Sequence, residues 1–379
     1  MTLRIGIDAR PIESAAWGVG RVLDNLVRQW RKDSRGHQFF LYFKNQIPDR
    51  PELQTPPFKS KIVPPPFIFK SHRLWEQISL PRQIERDELD VFLAPSYIIP
   101  LKASCPTSVI IHDVSFARFP EWYSLKERIE LAWLIKRTVR KATHIVCCSD
   151  DGKQELLSLY GNRWERKIQV VPWAADERFK PATGPADTIQ IKYKINGPYF
   201  LFVGYLFQRR NLPLLIRGFH SIARNFPDVS LVIIGRDKDY GGSLPSMIRD
   251  LKLEQRVKII DYVPEVDLLS FYQQAFCLVH PSTYEGFGLP VIEALACDVP
   301  VLLGPSGALK EAAGDAAYVI DPFNEEGLAN SMTSLLESET LRQELKEKGR
   351  LQADALNWKR TASEILDGLE QAAGSEKLT

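Results

Sequence analysis

The sequence predicts an α/β protein of two Rossmann-like, doubly wound domains facing a central cleft, and three observations carry that expectation. With 379 residues, 44% of them hydrophobic and 25% charged, the chain can bury a large core under an ordinary surface, which excludes disordered and fibrous classes. Single cores stop growing at about 250–300 residues, so a chain of this length divides, and two domains are expected. Short β-branched runs alternate with amphipathic helical stretches throughout, the pattern of helices covering both faces of a parallel sheet.

The first strand series comprises Arg4–Asp8, Phe39–Phe43, Val91–Ala94, Ser108–His112 and His144–Ser149. The second comprises Tyr199–Gly204, Ser230–Gly235, Val257–Asp261, Cys277–His280, Val299–Leu303 and Ala317–Ile320. Between them, Asp176 to Asn196 is polar, rich in Pro, Gly and Lys, and without a strong period, which places the interdomain linker at about 180–195. The domains are accordingly 1–185 and 186–379, and the cleft between them is the default binding site.

Residues 51–82 stand apart. Seven prolines are interleaved with Phe58, Phe67, Phe69, Trp75 and the cations Lys59, Lys61, Lys70 and Arg73. So much proline argues against regular structure there. The segment is either packed on its own domain or a flap whose cations meet lipid phosphates or an acceptor.

The 49 basic and 47 acidic residues give a net charge of only +2, which argues against nucleic-acid binding. Residues 1–180 nevertheless hold 29 basic and 21 acidic side chains, +8, and the rest 20 and 26, −6, so the first half suits an anionic partner. Five cysteines, without a C-x-x-C pair or zinc spacing, fit a reduced, cytoplasmic setting. Asp8 cuts the apolar start of the chain far short of a signal-peptide core. The longest nearly apolar run, Pro198 to Phe207, has about half the length needed to span a bilayer.

The most informative stretch runs from Pro281 to Ala296. A strand ending at His280 enters a loop with Gly286 and Gly288, and Pro290 then stands at a natural first helical position. A helix N-terminus preceded by glycines offers free N–H groups and a positive dipole end, a good diphosphate site. Glu285 and Glu293 frame it; as carboxylates they repel phosphate but accept paired hydrogen bonds from sugar hydroxyls. The same spacing would also serve a capped helix carrying two surface acids. Gly18 and Gly20 follow the first strand and precede a helix starting near Arg21, another phosphate-compatible turn. Leu23 stands where G-x-G-x-x-G requires glycine, which weakens a dehydrogenase reading. His112 and Asp113 end the apolar strand Val109–Ile111 at its carboxyl end, where open α/β sheets place active sites. His144 and His280 are read as packing or strand-end residues.

Glu285-Gly-Phe-Gly-Leu-Pro-Val-Ile-Glu293 closely resembles the Glu-x7-Glu signature of the retaining GT-B glycosyltransferases of the large group 1 family. Asp8-Ala-Arg10 with Gly18-Val-Gly20-Arg21, Ile111-His-Asp113 with Pro120, and Val203-Gly-Tyr-Leu-Phe-Gln-Arg-Arg-Asn211 resemble the family's other landmarks in order. Within the family the combination is most similar to mannosyltransferases that build bacterial surface polysaccharides.

The resemblance implies roles. Arg209 and Arg210, after the strand end at Gly204, would neutralise a departing nucleoside diphosphate; the family usually has Lys at the second place, so Arg210 keeps the charge but not the ammonium geometry. Glu285 would hold the donor sugar's hydroxyls. The N–H groups around Gly286, Phe287, Gly288 and Leu289 would hold its neighbours and the phosphate, and Glu293 the ribose. Tyr262 and Val263 would line the base pocket, with Arg236 facing nucleotide or solvent, and Gly18 and Gly20 would approach the donor. His112 would contact the transferred sugar or acceptor. The last helix, about 358–372, would cross back to the first domain with Trp358 as its anchor. Nothing in the sequence resembles the D-x-D metal clamp of other transferases, so metal-independent transfer without a cofactor is expected. The donor is a nucleotide sugar, GDP-mannose favoured, and the acceptor a glycan or a polyprenyl-diphosphate-linked glycan. An anionic membrane surface at the cytoplasmic face is an expected partner, met by the 51–82 segment and by a helix near Leu125–Lys141, which carries Trp133 and a basic end. A nucleotide-sugar epimerase of the same fold, a non-enzymatic nucleotide-sugar-binding subunit and a nicotinamide oxidoreductase are the rival readings.

Overall fold

The computed structural model describes residues 2–13, 18–66, 71–182, 188–321 and 323–375. Residues up to Trp173, together with those from Trp358 on, form one compact unit, and Ala174–Asn357 form the other.

The first unit holds a parallel sheet of β1 (Arg4–Asp8), β2 (Gln38–Phe43), β3 (Phe58–Ile62), β4 (Val91–Ala94), β5 (Thr107–Ile111), β6 (His144–Cys147) and β7 (Ile168–Val170). Their spatial order is β3-β2-β1-β4-β5-β6-β7. The second unit holds β8 (Tyr199–Val203), β9 (Ser230–Ile234), β10 (Val257–Ile260), β11 (Cys277–His280), β12 (Val301–Leu303) and β13 (Ala317–Val319), in the order β10-β9-β8-β11-β12-β13. The pairings are parallel. Most strands are buried along their whole length, as expected where helices cover both faces, and this is why they read as continuous apolar runs rather than alternating ones. In each unit the order reverses once, beside β1 and beside β8. Such a reversal splits the following connections to opposite faces and opens a crevice at the carboxyl ends of the strands.

The expected strands form within a residue or two of their expected bounds. Two were missed, β3 and β7. The first corrects the expectation that proline bars regular structure from 51–82. Pro56 and Pro57 precede β3 and Pro64 to Pro66 follow it, so the prolines bracket an edge strand, where they displace no ladder bond. Phe58 pairs with Phe39 in register, and their rings continue into Trp30. Beyond Ser71 the chain is helical from His72 to Arg86, with a π-turn at Trp75–Ser79. Trp75 is fully buried and its indole N–H donates to the Val63 carbonyl at 2.6 Å. Two of the segment's cations turn toward the unit's own acids, Lys61 pairing with Asp87 and Arg73 with Glu76 and Glu130, while Lys59 donates to the Gln38 side chain at 3.0 Å. Phe67, Phe69 and Lys70 lie outside the described residues. β7 was too short to signal itself. Within the segment expected as linker, Thr188–Tyr193 is a helix whose Lys192 and Tyr193 both reach Asp267.

The helix Trp358–Ser375 packs in the first unit. Trp30 Nε1 donates to the Ala362 carbonyl at 3.0 Å, His37 meets Glu370 at 2.8 Å, and Trp358 stacks on Trp173 with ring centroids 6.0 Å apart. Gly368 passes so close to His144 that a Cβ there would stand 2.2 Å from the ring. His144 itself is satisfied by Ser108 and Gln169, a packing histidine as expected.

Because Trp75 is part of the core, Trp75→Ala should destabilise the protein by about 3–5 kcal/mol, the cost of deleting a buried large aromatic. Urea unfolding measures it; a cost below about 1 kcal/mol, the surface range, would return the segment to the status of a loose loop.

Candidate active site

The crevice of the second unit lies between the loops that follow β8 and β11, and the sequence places its charges in those two loops. After β8 the chain runs through Gly204 to a short turn, Gln208–Arg210, and then into the helix Leu212–Ala223. After β11 it runs through Ser282 and Glu285 to the helix Leu289–Ala296, with Gly288 as N-cap and Pro290 in the first turn. The two loops are tied together: Thr283 donates its N–H to the Arg209 carbonyl at 2.9 Å, and Arg209 Nη1 donates to the Tyr284 carbonyl at 3.3 Å.

There the side chains converge. Glu285 Oε1 receives Arg209 Nη1 at 2.7 Å, Arg210 Nε at 2.9 Å, Ser282 Oγ at 3.1 Å and His280 Nε2 at 3.3 Å. Burial opposes ionisation of Glu285, but Arg209 and Arg210 overcome it and hold the carboxyl well below the usual carboxylate range. Burial likewise lowers the Arg210 pKa, against the pull of Glu285. The trio of two guanidiniums and one carboxylate carries one more positive than negative charge, removed from bulk water. Such a site favours an anion.

Gly204 and Gly288 are each required by shape. At Gly204, φ is +139°, and an added Cβ would fall 1.7 Å from Arg210 Nη1. The guanidinium therefore lies directly on a glycine backbone, and Arg210 also donates to the Tyr205 carbonyl at 3.1 Å. At Gly288, φ is +115° and a Cβ would meet Leu309 at 2.6 Å. The glycine lets the helix start against its neighbour while keeping its first N–H groups at the crevice. Phe287 is buried beside it.

His280 is the packing, strand-end residue expected, with one contact the sequence did not show: it is fully buried at the end of β11, stacks on Phe202 at 8° between planes, and touches Glu285. Burial lowers its pKa, so the ring is neutral, and since a carboxylate only accepts, Nε2 carries the proton. Its Nδ1 is buried without a hydrogen-bond partner. The sequence signal was its place, five residues before Glu285 at the end of the strand. Glu293 is not the surface acid that spacing alone allowed. It is the fifth residue of its helix, buried, and accepts from Tyr272 Oη at 2.8 Å. Tyr262 is 53% exposed after β10 and Val263 is buried beside it. Arg236 lies 3.5 Å from Asp261 on the same edge and faces solvent.

On the first unit, His112 follows β5. Its Nε2 lies 2.8 Å from the Pro95 carbonyl, which fixes the proton on Nε2 and leaves Nδ1 as an acceptor. The ring sits between Tyr97 and Trp173, with centroids at 5.7 and 6.0 Å. Burial lowers its pKa, against the Pro95 bond. Asp113 is committed elsewhere, to Tyr97 Oη at 2.9 Å and to the N–H and hydroxyl of Ser115 at 2.9 and 2.6 Å. It shapes the turn. Gly18 is the N-cap of the helix Val19–Lys32, which begins two residues earlier than expected, so Gly20 is a buried helical residue and not part of the loop.

Two outcomes are expected. Gly204→Ala should displace the Arg210 guanidinium and weaken nucleoside diphosphate binding at least tenfold by calorimetry; unchanged affinity would show that Arg210 does not meet the ligand. Because His112 is held neutral, the acidic limb of kcat/KM that it controls should lie below the ordinary histidine value of ~6.5, and His112→Asn should remove that limb. A limb at or above that value would contradict the assignment.

Comparison with known proteins bears on the family and the fold. Residues 186–352 match the family described as glycosyl transferases group 1, and residues 17–179 match the one described as Glycosyltransferase Family 4. The O-antigen chain mannosyltransferase B of Escherichia coli is 25% identical over 291 residues, 74% of each chain. The O-antigen chain mannosyltransferase RfbU of Salmonella typhimurium is 27% identical over 228 residues, so the match spans 60% of that relative's length and 60% of this chain. Among solved structures, a sucrose-phosphate synthase from Thermosynechococcus elongatus superposes with a TM-score of 0.78 at 18% identity, covering 98% of this chain and 100% of the other. WaaG, a glycosyltransferase involved in lipopolysaccharide biosynthesis, superposes with a TM-score of 0.77 at 17% identity over 97% and 99%. The chain therefore belongs to the group 1 glycosyltransferases and has their GT-B fold.

Proposed function

We propose that the protein is a retaining hexosyltransferase that moves a hexosyl group, mannosyl favoured, from a nucleoside diphosphate to a hydroxyl of a glycan or polyprenyl-diphosphate-linked acceptor in surface polysaccharide synthesis. GDP-mannose is the favoured donor. The observation that carries this reading is the convergence of Arg209 and Arg210 on Glu285 beside the helix start at Leu289. Guanidiniums and helix N–H groups suit a diphosphate, and a carboxylate suits the sugar attached to it. The names of the two mannosyltransferase relatives support the sugar and the pathway.

In this reaction the bond between the sugar's C1 and the phosphate oxygen breaks. The acceptor oxygen bonds to C1 on the same face, and its proton passes to the leaving phosphate. Arg209 and Arg210 exchange the shared Glu285 oxygen for phosphate oxygens, taking up the charge that develops there; Glu285 is thereby released toward the sugar hydroxyls. Arginines and helix dipole do the work a divalent ion does elsewhere.

Arg209→Ala and Arg210→Ala should each lower turnover roughly 10²–10³-fold, the scale for one preorganised charge-stabilising donor. Near-wild-type rates in both would defeat the diphosphate assignment. Activity should persist in excess EDTA; complete loss restored by magnesium or manganese would overturn the metal-independent reading. A thermal-shift series of GDP-, UDP- and dTDP-sugars identifies the donor, since a ligand at 100 times its Kd stabilises by about 2.7 kcal/mol.

A further inference from the structure

We infer that the outer face of the helix Leu125–Lys141 is a docking surface for an anionic phospholipid bilayer. This goes beyond the transfer reaction and does not depend on it. The helix buries Leu134, Ile135, Thr138 and Val139 against the first unit. Its opposite face leaves three large apolar side chains in water at four-residue spacing: Leu125 is 68% exposed, Ile129 63% and Trp133 50%. A four-residue repeat keeps all three on one side of the helix.

The same face changes character along its length. After Trp133 come Lys136, Arg137, Arg140 and Lys141, all exposed, and the Arg137 guanidinium lies 3.6 Å from the Trp133 ring centroid. From one end to the other the order is aliphatic, aliphatic, indole, cation. A bilayer presents that order from its acyl boundary through the interface to the phosphates, and tryptophan is enriched at the middle level. Leu125 and Trp133 are about 12 Å apart along the axis at 1.5 Å per residue. A tilted approach with the first turn lowest therefore spans the ~5–10 Å depth at which interfacial helices sit.

The acids on this helix are drawn away from the lipid. Glu127 closes a capping box with Ser124, and Glu130 is paired with Arg73 at 2.8 Å. Lys126 adds a further exposed cation. A second copy of this chain is a poor occupant. Antiparallel helices would set each apolar half against the partner's cations, and parallel ones would set cation on cation. Lys61 and Arg73 of the segment 51–82 are turned to the unit's own acids.

Co-sedimentation with vesicles tests the inference. The full chain should bind vesicles of equal parts phosphatidylglycerol and phosphatidylcholine at low salt, be released at high salt, and ignore pure phosphatidylcholine. Lys136→Gln with Arg140→Gln should weaken binding about 30-fold, from about fivefold per cation, and Ile129→Ser with Trp133→Ser should also lose it. The variants should keep the wild-type Tm and the donor-induced thermal shift, which separates failure of docking from failure of the transferase. The five native cysteines are buried, so Ile129→Cys accepts an environment-sensitive dye selectively, and its emission should shift to the blue on the anionic vesicles. No binding to anionic vesicles at low salt, wild-type binding by both double variants, or an unshifted dye on bound protein would each overturn the proposal; the last two would mean that a different surface, or a protein partner, is used.

Discussion

One carboxylate oxygen organises the second unit. Glu285 Oε1 collects two guanidiniums, a hydroxyl and an imidazole, and each of them comes from the loop after β8, the loop after β11, or the end of β11 itself. Charges this far from water are costly unless they meet one another. The two loops can thus close only in the arrangement that brings Arg209 and Arg210 to Glu285. The requirement reaches outward: Gly204 has no side chain because Arg210 lies across it, and Thr283 holds the Arg209 carbonyl because that loop must not drift. The protein holds two guanidiniums on its own carboxylate. Preorganisation and protection of the buried charges are then one device.

The two units repeat the same sheet order but use its carboxyl edge differently. Beside β8 the edge is cationic. In the first unit His112 is a neutral acceptor framed by aromatic rings, and Arg10 near the end of β1 is taken up by Asp8 and Glu76. A strand end fixes where a side chain stands, whereas the loop that follows decides what it can do there.

Much of this was legible in the sequence because the relevant signals are local. Fully buried parallel strands are contiguous apolar runs, and Gly288 with Pro290 marks a helix start whatever the rest of the chain does. Arg209, Arg210 and Glu285 could be named from motif and spacing. What stayed hidden depends on contacts distant in sequence. β3 carries two lysines and is bracketed by prolines, so only its pairing with β2 and the Trp30–Phe39–Phe58 ring series make it a strand. His280 resembles any strand-end histidine until Phe202 and Glu285 are seen on either side of it. The inward turn of Lys61 and Arg73 follows from acids, Asp87 and Glu130, that no local window contains. The apolar stripe on Leu125–Lys141 was obscured because exposure is a property of what packs beside a helix, not of its own pattern.

The placement of the helix Trp358–Ser375 bears on how the protein is made. The first unit begins at the start of the chain, yet its indole at Trp30 bonds to Ala362 and its Trp173 stacks on Trp358. A ribosome adding about 5–20 residues per second delivers Ala174–Asn357 complete while the earlier unit still lacks its last helix. The later-synthesised unit can therefore finish first, and until translation reaches Trp358 the earlier one presents an uncovered apolar face. Chains that terminate prematurely near Asn357 should be captured by chaperones or degraded, although every strand of both sheets is already present in them.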